Sequence, residues 1–264
     1  MEQGTSADVD LNQLGFDQGL RGVHTSRTMM YDELSTVMNG VPRPRTQDTV
    51  RHAVLEENLC GKSTQSTRIE TASKLISLYS FHSEARLFQA FDDLWDLTES
   101  SHPVLALLMA CSRDTVLLST ATSICDTSLG EPFSKERVYQ GLLNGFAAKY
   151  RESTLRSVSR NIMASWKQSG HIAGRQNAIR TKAPSDYIAA AFAVVICLLR
   201  GMKGQEVLDS LWVRLLDLSA AELEAALQEA SRHGLLTYRR VASVIELAEG
   251  PYFQEEARHR GARV

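Results

Sequence analysis

The chain has 264 residues, 43% of them hydrophobic, and a formal net charge of −2. That length and apolar content support a substantial buried core and exclude a wholly disordered chain. Six prolines, sixteen glycines and 7% aromatic residues, with long Ala-, Leu-, Glu- and Arg-rich stretches, favour helices over a sandwich or barrel.

In chain order, residues 1–45 read as a partly flexible N-terminal segment. It ends in Gly40-Val-Pro-Arg-Pro-Arg45, an extended linker because each proline biases the residue before it away from helix. Residues 46–82 read as a helix-turn-helix-like unit, with helices at Thr49–Leu59 and Ser66–Ser80 around the turn Cys60–Ser63. Ile69, Ala72, Leu75, Ile76 and Tyr79 share the apolar face of the second helix. Residues 83–182 form a helical core, with helices expected over Ala85–Leu97, Pro103–Ser123 and Lys135–Tyr150, ending in a basic helix and tail.

Residues 183–264 make a C-terminal winged-helix-like module. Its apolar run Ile188–Leu199 is shorter than the about twenty residues a membrane span needs, and predicts a buried helix. Gly204–Leu216 and Ser219–Arg232 predict two helices, with Ser219 a cap and Gly234 a stop. Leu235–Tyr238 and Ser243–Leu247 predict strands around Arg239-Arg240-Val241-Ala242. The fold class is therefore mainly α: a helical bundle with winged-helix or helix-turn-helix elements and a short C-terminal β-hairpin.

The main functional signal is charge. Between Lys149 and Lys182 stand Lys149, Arg151, Arg156, Arg160, Lys167, Arg175, Arg180 and Lys182 against a single acid, Glu152. This local excess of +7 in an acidic chain points to phosphate. Leu155, Val158, Ile162, Met163 and Trp166 give an amphipathic helix, capped by Ser153 or Thr154 and stopped at Gly170. Arg156, Arg160 and Lys167 project beside its apolar stripe, and opposite-sign partners at i±4 are read as missing. The tail Gly174–Lys182 continues the charge on a mobile segment or hairpin, a helix-and-wing arrangement suited to a duplex. Lys62, Arg68 and Lys74 on the first helical pair are further candidate contacts, and Asn161 and Gln168 candidate base readers. The C-terminal module's own second helix carries Glu222, Glu224 and Glu229, which a duplex repels, leaving Arg239 and Arg240 as backbone contacts at most. The apolar phase of Ser66–Tyr79 also matches that of Ser153–Trp166, a match any two capped amphipathic helices can show.

Enzyme patterns fail. Gly61-Lys62-Ser63 lacks the earlier glycine of a phosphate-binding loop, with Glu56 in its place. Asp92, Asp93, Asp96 and Glu99 could share an ion, but the alternating Phe91, Leu94, Trp95 and Leu97 make them the wet side of a helix. There is no His-Glu-x-x-His and no Gly-x-Ser-x-Gly. No catalysis, cofactor or metal is expected. Cys60, Cys111, Cys125 and Cys197 lack metal-like spacing and read as buried thiols. With a polar start, Met1–Asp10, they suggest a cytoplasmic protein with no membrane partner.

Ala53–Leu59 leading into Gln65–Arg68, Ala106–Arg113, and Glu152–Met163 followed by Ser169–Ile172 resemble the BrxA proteins of BREX bacteriophage-defence islands, over roughly residues 20–175. The resemblance implies a small, mostly helical, non-enzymatic component with a winged-helix element and DNA-binding behaviour, encoded beside a methyltransferase and ATPases. The residues after Lys182 exceed the usual extent of that family. Double-stranded DNA is the expected partner. The alternatives are other subunits of such a defence complex, with the basic face docking an acidic protein, or RNA bound by an antitermination-type helical domain. Oligomeric state is left open.

Overall fold

Side-chain oxygens at Thr46, Thr64, Asp114, Ser134, Asp186, Ser210 and Ser219 accept hydrogen bonds from the first turns of the helices they precede, and so fix where those helices start. The computed structural model describes residues 10–17, 19, 22–242 and 244–261. A 3₁₀ turn, Val23–Thr25, leads to α1 (Tyr31–Gly40), α2 (Gln47–Leu55), α3 (Gln65–Tyr79) and α4 (Arg86–Trp95). Next come α5 (His102–Arg113), the short α6 (Thr115–Leu118) and α7 (Ala121–Cys125), then α8 (Lys135–Phe146) and α9 (Glu152–Gln168). The hairpin β1 (Ile172–Ala173) and β2 (Ile179–Arg180) precedes α10 (Tyr187–Leu199), α11 (Gln205–Leu208), α12 (Leu211–Arg214) and α13 (Ala220–Arg232). Antiparallel β3 (Leu236–Val241) and β4 (Val244–Glu249) and a last helix, α14 (Pro251–Gly261), complete the chain. The fold is mainly α, with a C-terminal hairpin.

The apolar run forms α10, buried from Ile188 to Cys197 and packed against α4, α5, α12 and α13. A helix apolar on all sides is stable only when surrounded, and α5, buried from Val104 to Ser112, is one of the helices that surround it. The buried residues of the expected segments join in one continuous core, which α10 carries across residue 183. No single helix among the described residues is long and apolar enough to cross a membrane.

Several local expectations are corrected. The described part of the N-terminal segment is folded, with Leu34, Val37 and Met38 of α1 in the core, whereas residues 1–9 lie outside the described residues, as does Ser243. Of the acids read as the wet side of a helix, Asp96 and Glu99 are exposed, but Asp92 and Asp93 are not solvated. Arg45, itself buried, reaches Asp92 at 2.7 Å and Asp96 at 3.3 Å, and Arg43 reaches Asp92 at 3.2 Å, Asp93 at 3.5 Å and Asp96 at 3.1 Å. These pairs dock the Pro-Arg-Pro-Arg segment on α4. Ile69, assigned to the apolar face of α3, is 53% exposed. Cys111 and Cys197 are buried, but Cys60 and Cys125 are only half-buried. The helix expected over Gly204–Leu216 is split because Ser210 caps α12 and bonds the Cys197 Sγ at 3.1 Å.

The break in the predicted Pro103–Ser123 helix has a definite cause. Asp114 leaves the helix and caps α6, accepting from the Val116 and Leu117 amides at 3.0 and 3.2 Å. Its other oxygen accepts from the His24 amide at 3.0 Å and lies 2.8 Å from His24 Nδ1. Burial pushes this carboxyl up, but the charge and hydrogen bonds of His24, with the Leu117 amide, outweigh burial and hold it below its usual value. Gly22 leaves room for the pair, since a Cβ there would stand 2.0 Å from Asp114 Oδ1. Gly22→Ala is therefore expected to lower stability by about 1–3 kcal/mol in urea unfolding. Gly145→Ala in α8, where an added Cβ meets nothing within 4 Å, should leave stability equal or raised by about 0.5–1 kcal/mol.

Candidate nucleic-acid interface

The basic stretch folds as helix, helix and hairpin. α8 packs on α9, and the chain then returns as β1 and β2, paired Ile172 with Arg180 and Ala173 with Ile179. Pro132, just before α8, bridges Ile179 and adds a third short strand position. The unit is two helices followed by a hairpin, with α9 as the second helix and residues 174–178 at the tip of the hairpin, or wing. Gly170, at φ +82, turns the chain out of α9. Gly174, at φ +91, makes the tight wing turn, where a Cβ would lie 2.5 Å from the Asn177 carbonyl. The helix start differs from expectation. It begins at Glu152, with Arg151 as N-cap and no side-chain cap, while Ser153 and Thr154 lie inside the first turn.

Between α9 and the wing runs an open groove of about 740 Å³, lined among others by Lys135, Arg160, Met163, Lys167, Arg175 and Asn177. Among the described residues, no carboxylate lines it. Arg160 donates to the Ser157 hydroxyl at 2.8 Å and stays exposed, and Arg175 is exposed on the wing. Lys135, at the first turn of α8 behind its cap Ser134, belongs to this group although it precedes the basic stretch by fourteen residues. The signal available for it was the Ser134-Lys135 helix start, where the α8 dipole also favours an anion.

The other candidate cations fall elsewhere. Arg156 lies over the Tyr139 ring at 4.8 Å and pairs with Glu152 at 2.8 Å, an i,i+4 partner that corrects the reading of an unpartnered face. Lys182 pairs with Glu222 at 2.6 Å. Lys62 pairs with Glu33 at 2.7 Å, and Arg68 donates to the Lys62 and Leu55 carbonyls at 3.2 and 3.3 Å, satisfying the end of α2. Lys74, Lys149 and Arg151 gather away from the groove, near the start of α9; Lys74 and Lys149 line one pocket. Asn161 is corrected as a base reader, because its amide donates inward to the His24 carbonyl at 3.0 Å. The Gln168 Oε1 is buried. Arg239 and Arg240 face acids of their own module, Arg240 reaching Glu224 at 3.3 Å beside the Tyr238 hydroxyl, which donates to the same carboxylate at 2.6 Å.

Arg180 is the clearest correction. It is 2% exposed, and its guanidinium grips Asp217 with both Nη groups, one at 2.8 Å, while Nε donates to the Ile124 carbonyl at 3.0 Å. A phosphate cannot reach it. Beside it His171 is fully buried, with Nδ1 2.8 Å from the Ser169 hydroxyl and Nε2 2.8 Å from the Leu215 carbonyl. Burial drives its pKa down to about 4, against the opposing pull of Asp217.

One buried constellation has the residue types of a hydrolase triad. His24 Nδ1 faces Asp114, and Nε2 lies 2.9 Å from Ser165 Oγ. Ser165 sits within α9 with no access to solvent, accepts from the Met29 amide at 2.8 Å and donates to the Asn161 carbonyl at 3.0 Å. With no room for a substrate, it ties the N-terminal segment to α6 and α9. Among the described residues, no group of His, Cys, Asp and Glu could hold a metal ion.

No family model, curated protein or solved structure matches the chain.

Arg180→Ala leaves Asp217 buried without its partner, and is expected to cost about 3–5 kcal/mol of stability in denaturant unfolding. Stability should also fall in acid. His171 stays neutral when folded and protonates when unfolded, so its contribution is intact above about pH 6.5 and declines by about 3 kcal/mol as pH drops towards 4. Unfolding curves between pH 7 and 4.5 check this, and His171→Gln should flatten that limb.

Proposed function

We propose that the α9–wing groove binds the phosphate backbone of duplex DNA, in a non-enzymatic accessory protein. The observation that carries this reading is convergence: Lys135, Arg160, Lys167 and Arg175 come from α8, α9 and the wing, and meet in one open groove with no acid among its lining residues. Folding gathers like charges only at a cost in mutual repulsion, which an anionic ligand relieves. Arg160 and Arg175 offer forked donors, the two lysines point charges, and the α8 N-terminus adds its dipole. Such contacts position a duplex without reading its sequence.

The resemblance to BrxA proteins gives the biological setting of this reading. The protein would serve a BREX-type phage-defence system whose chemistry other subunits perform, and neighbouring genes for a DNA methyltransferase and a large ATPase would support that setting. Docking of an acidic subunit on the same groove is the competing outcome.

The test is an electrophoretic shift assay over a salt series. With four phosphate contacts, log affinity should fall with log salt at a slope of about −4. Arg160→Glu with Lys167→Glu should flatten that slope by about 2 and weaken binding by orders of magnitude. Parent-like binding by this variant, or no duplex binding by the parent at low salt, overturns the proposal.

A further inference from the structure

The α9–wing groove has a floor as well as a cationic rim. Besides its four cations it is lined by Pro132, Met163, Ala164, Ala178 and Ile179. Met163 and Ala178 are half-buried and pack against the core, whereas Lys135, Arg160 and Arg175 are exposed, so the apolar side chains lie at the bottom and the charges at the edge. Strand alternation explains Ile179. In β2, Arg180 turns inward to Asp217, which sends Ile179 outward, where it stays 40% exposed. The hydrogen-bonding groups of this floor are already engaged. The Phe133 amide donates to the Ala178 carbonyl at 2.8 Å, the Arg180 amide donates to the Glu131 carbonyl at 2.9 Å, and Ile179 is paired with Ala173. Ser134 caps α8, and Gln176 and Asn177 stand exposed at the hairpin tip, beyond the paired residues. A hydroxyl brought against Met163, Ala164 and Ile179 therefore finds no free partner there among the described residues.

We propose that this floor is a seat for deoxyribose, by which the groove takes DNA and rejects RNA. The proposal rests on the reading of the groove as a backbone site and specifies the sugar that the backbone carries. In a nucleic-acid strand the sugars lie between successive phosphates, so phosphates held at the rim bring sugars over the floor. The C–H face of a deoxyribose covers apolar surface without giving up a hydrogen bond. A ribose brings a 2′-hydroxyl, both donor and acceptor, to the same place, and taking that group from water without a partner is costly. The four cations cannot supply this discrimination, because the phosphates of DNA and RNA are the same. The rim therefore sets affinity and the floor sets the choice of sugar.

The experiment measures binding, at one low salt concentration, to three duplexes of one sequence: DNA, RNA, and RNA with fluorine in place of every 2′-hydroxyl. The fluorinated duplex keeps the RNA helix form but has no hydroxyl to leave unpaired. The parent is expected to bind DNA most tightly, and to bind the fluorinated duplex about tenfold or more tighter than RNA. This comparison needs no substitution. Met163→Gln with Ile179→Thr, which places hydrogen-bonding groups on the floor, should close most of the gap between the fluorinated duplex and RNA, and thermal melting confirms that the variant is folded. Arg160→Glu with Lys167→Glu should weaken all three duplexes by similar factors. Equal binding of RNA and its fluorinated form by the parent, or RNA bound more tightly than DNA, overturns the deoxyribose seat. A gap that the folded floor variant leaves unchanged overturns it as well. In each of these cases the groove reading stands if the charge-reversed variant still loses affinity. Parent-like binding by that variant, or no duplex binding by the parent, overturns the groove reading and takes this proposal with it.

Discussion

The Arg180–Asp217 ion pair is the constraint on which the rest of the molecule depends. Arg180 ends the wing strand β2, and Asp217, at φ +56, forms the turn between α12 and α13. The guanidinium also donates to the carbonyls of Ile124, His171 and Thr181, and Asp217 accepts from the Ala183 amide at 3.0 Å. Four backbone segments thus converge on one charge pair, with neutral His171 packed beside it. Taking both ions out of water is costly, and the pair is tolerable because nearly every donor and acceptor is satisfied. Its structural yield is position: it holds the end of the wing strand β2 against the turn between α12 and α13.

The two halves joined there share an element order but differ in electrostatics. Each has two helices followed by an antiparallel hairpin, α8, α9 and β1–β2 in the first and α12, α13 and β3–β4 in the second, although α12 has only four residues. In the second unit, Glu224 engages Arg240 and Tyr238, and Glu222 engages Lys182. The carboxyls of Glu222 and Glu224 are held below their usual values, chiefly by the side chains they accept from: Lys182 for Glu222, where the value is about 2, and Tyr238 for Glu224. The acids of that unit are matched by cations, some its own and some, such as Arg86 and Lys182, from the first part of the chain. The first unit presents them outward.

What the sequence made legible was whatever depends on local pattern. The amphipathic period of α9, the all-apolar α10, the Ser219 cap and the C-terminal hairpin follow from spacing and capping chemistry that neighbours in the chain supply. What it concealed depends on partners far along the chain. Nothing near Arg180 distinguishes it from Arg175, because the carboxylate that buries it lies 37 positions later. Asp114 breaks a helix that its apolar pattern would continue, because it meets His24 across 90 positions. The carboxylates of α4 look solvated until Arg43 and Arg45 fold onto them. Lys135 was missed for the opposite reason: it stands outside the basic run, and only the packing of α8 on α9 brings it in.

Magnitudes then decide which cations of the basic run can act on a ligand. An exposed ion pair such as Arg156–Glu152 or Lys182–Glu222 contributes little in water, so a phosphate competes with it easily. Breaking the Arg180–Asp217 pair costs far more, and a phosphate would in addition have to enter a dry interior. Among the described residues, Arg160, Lys167 and Arg175 have no such competitor, nor has Lys135 across the groove. The linear charge count therefore overstates the available charge within residues 149–182 and understates it outside them. The potential a ligand meets is set by which cations the fold leaves unmatched: Arg160, Lys167 and Arg175 of the basic run, with Lys135 across the groove, while the buried Arg180 ties down the base of the wing.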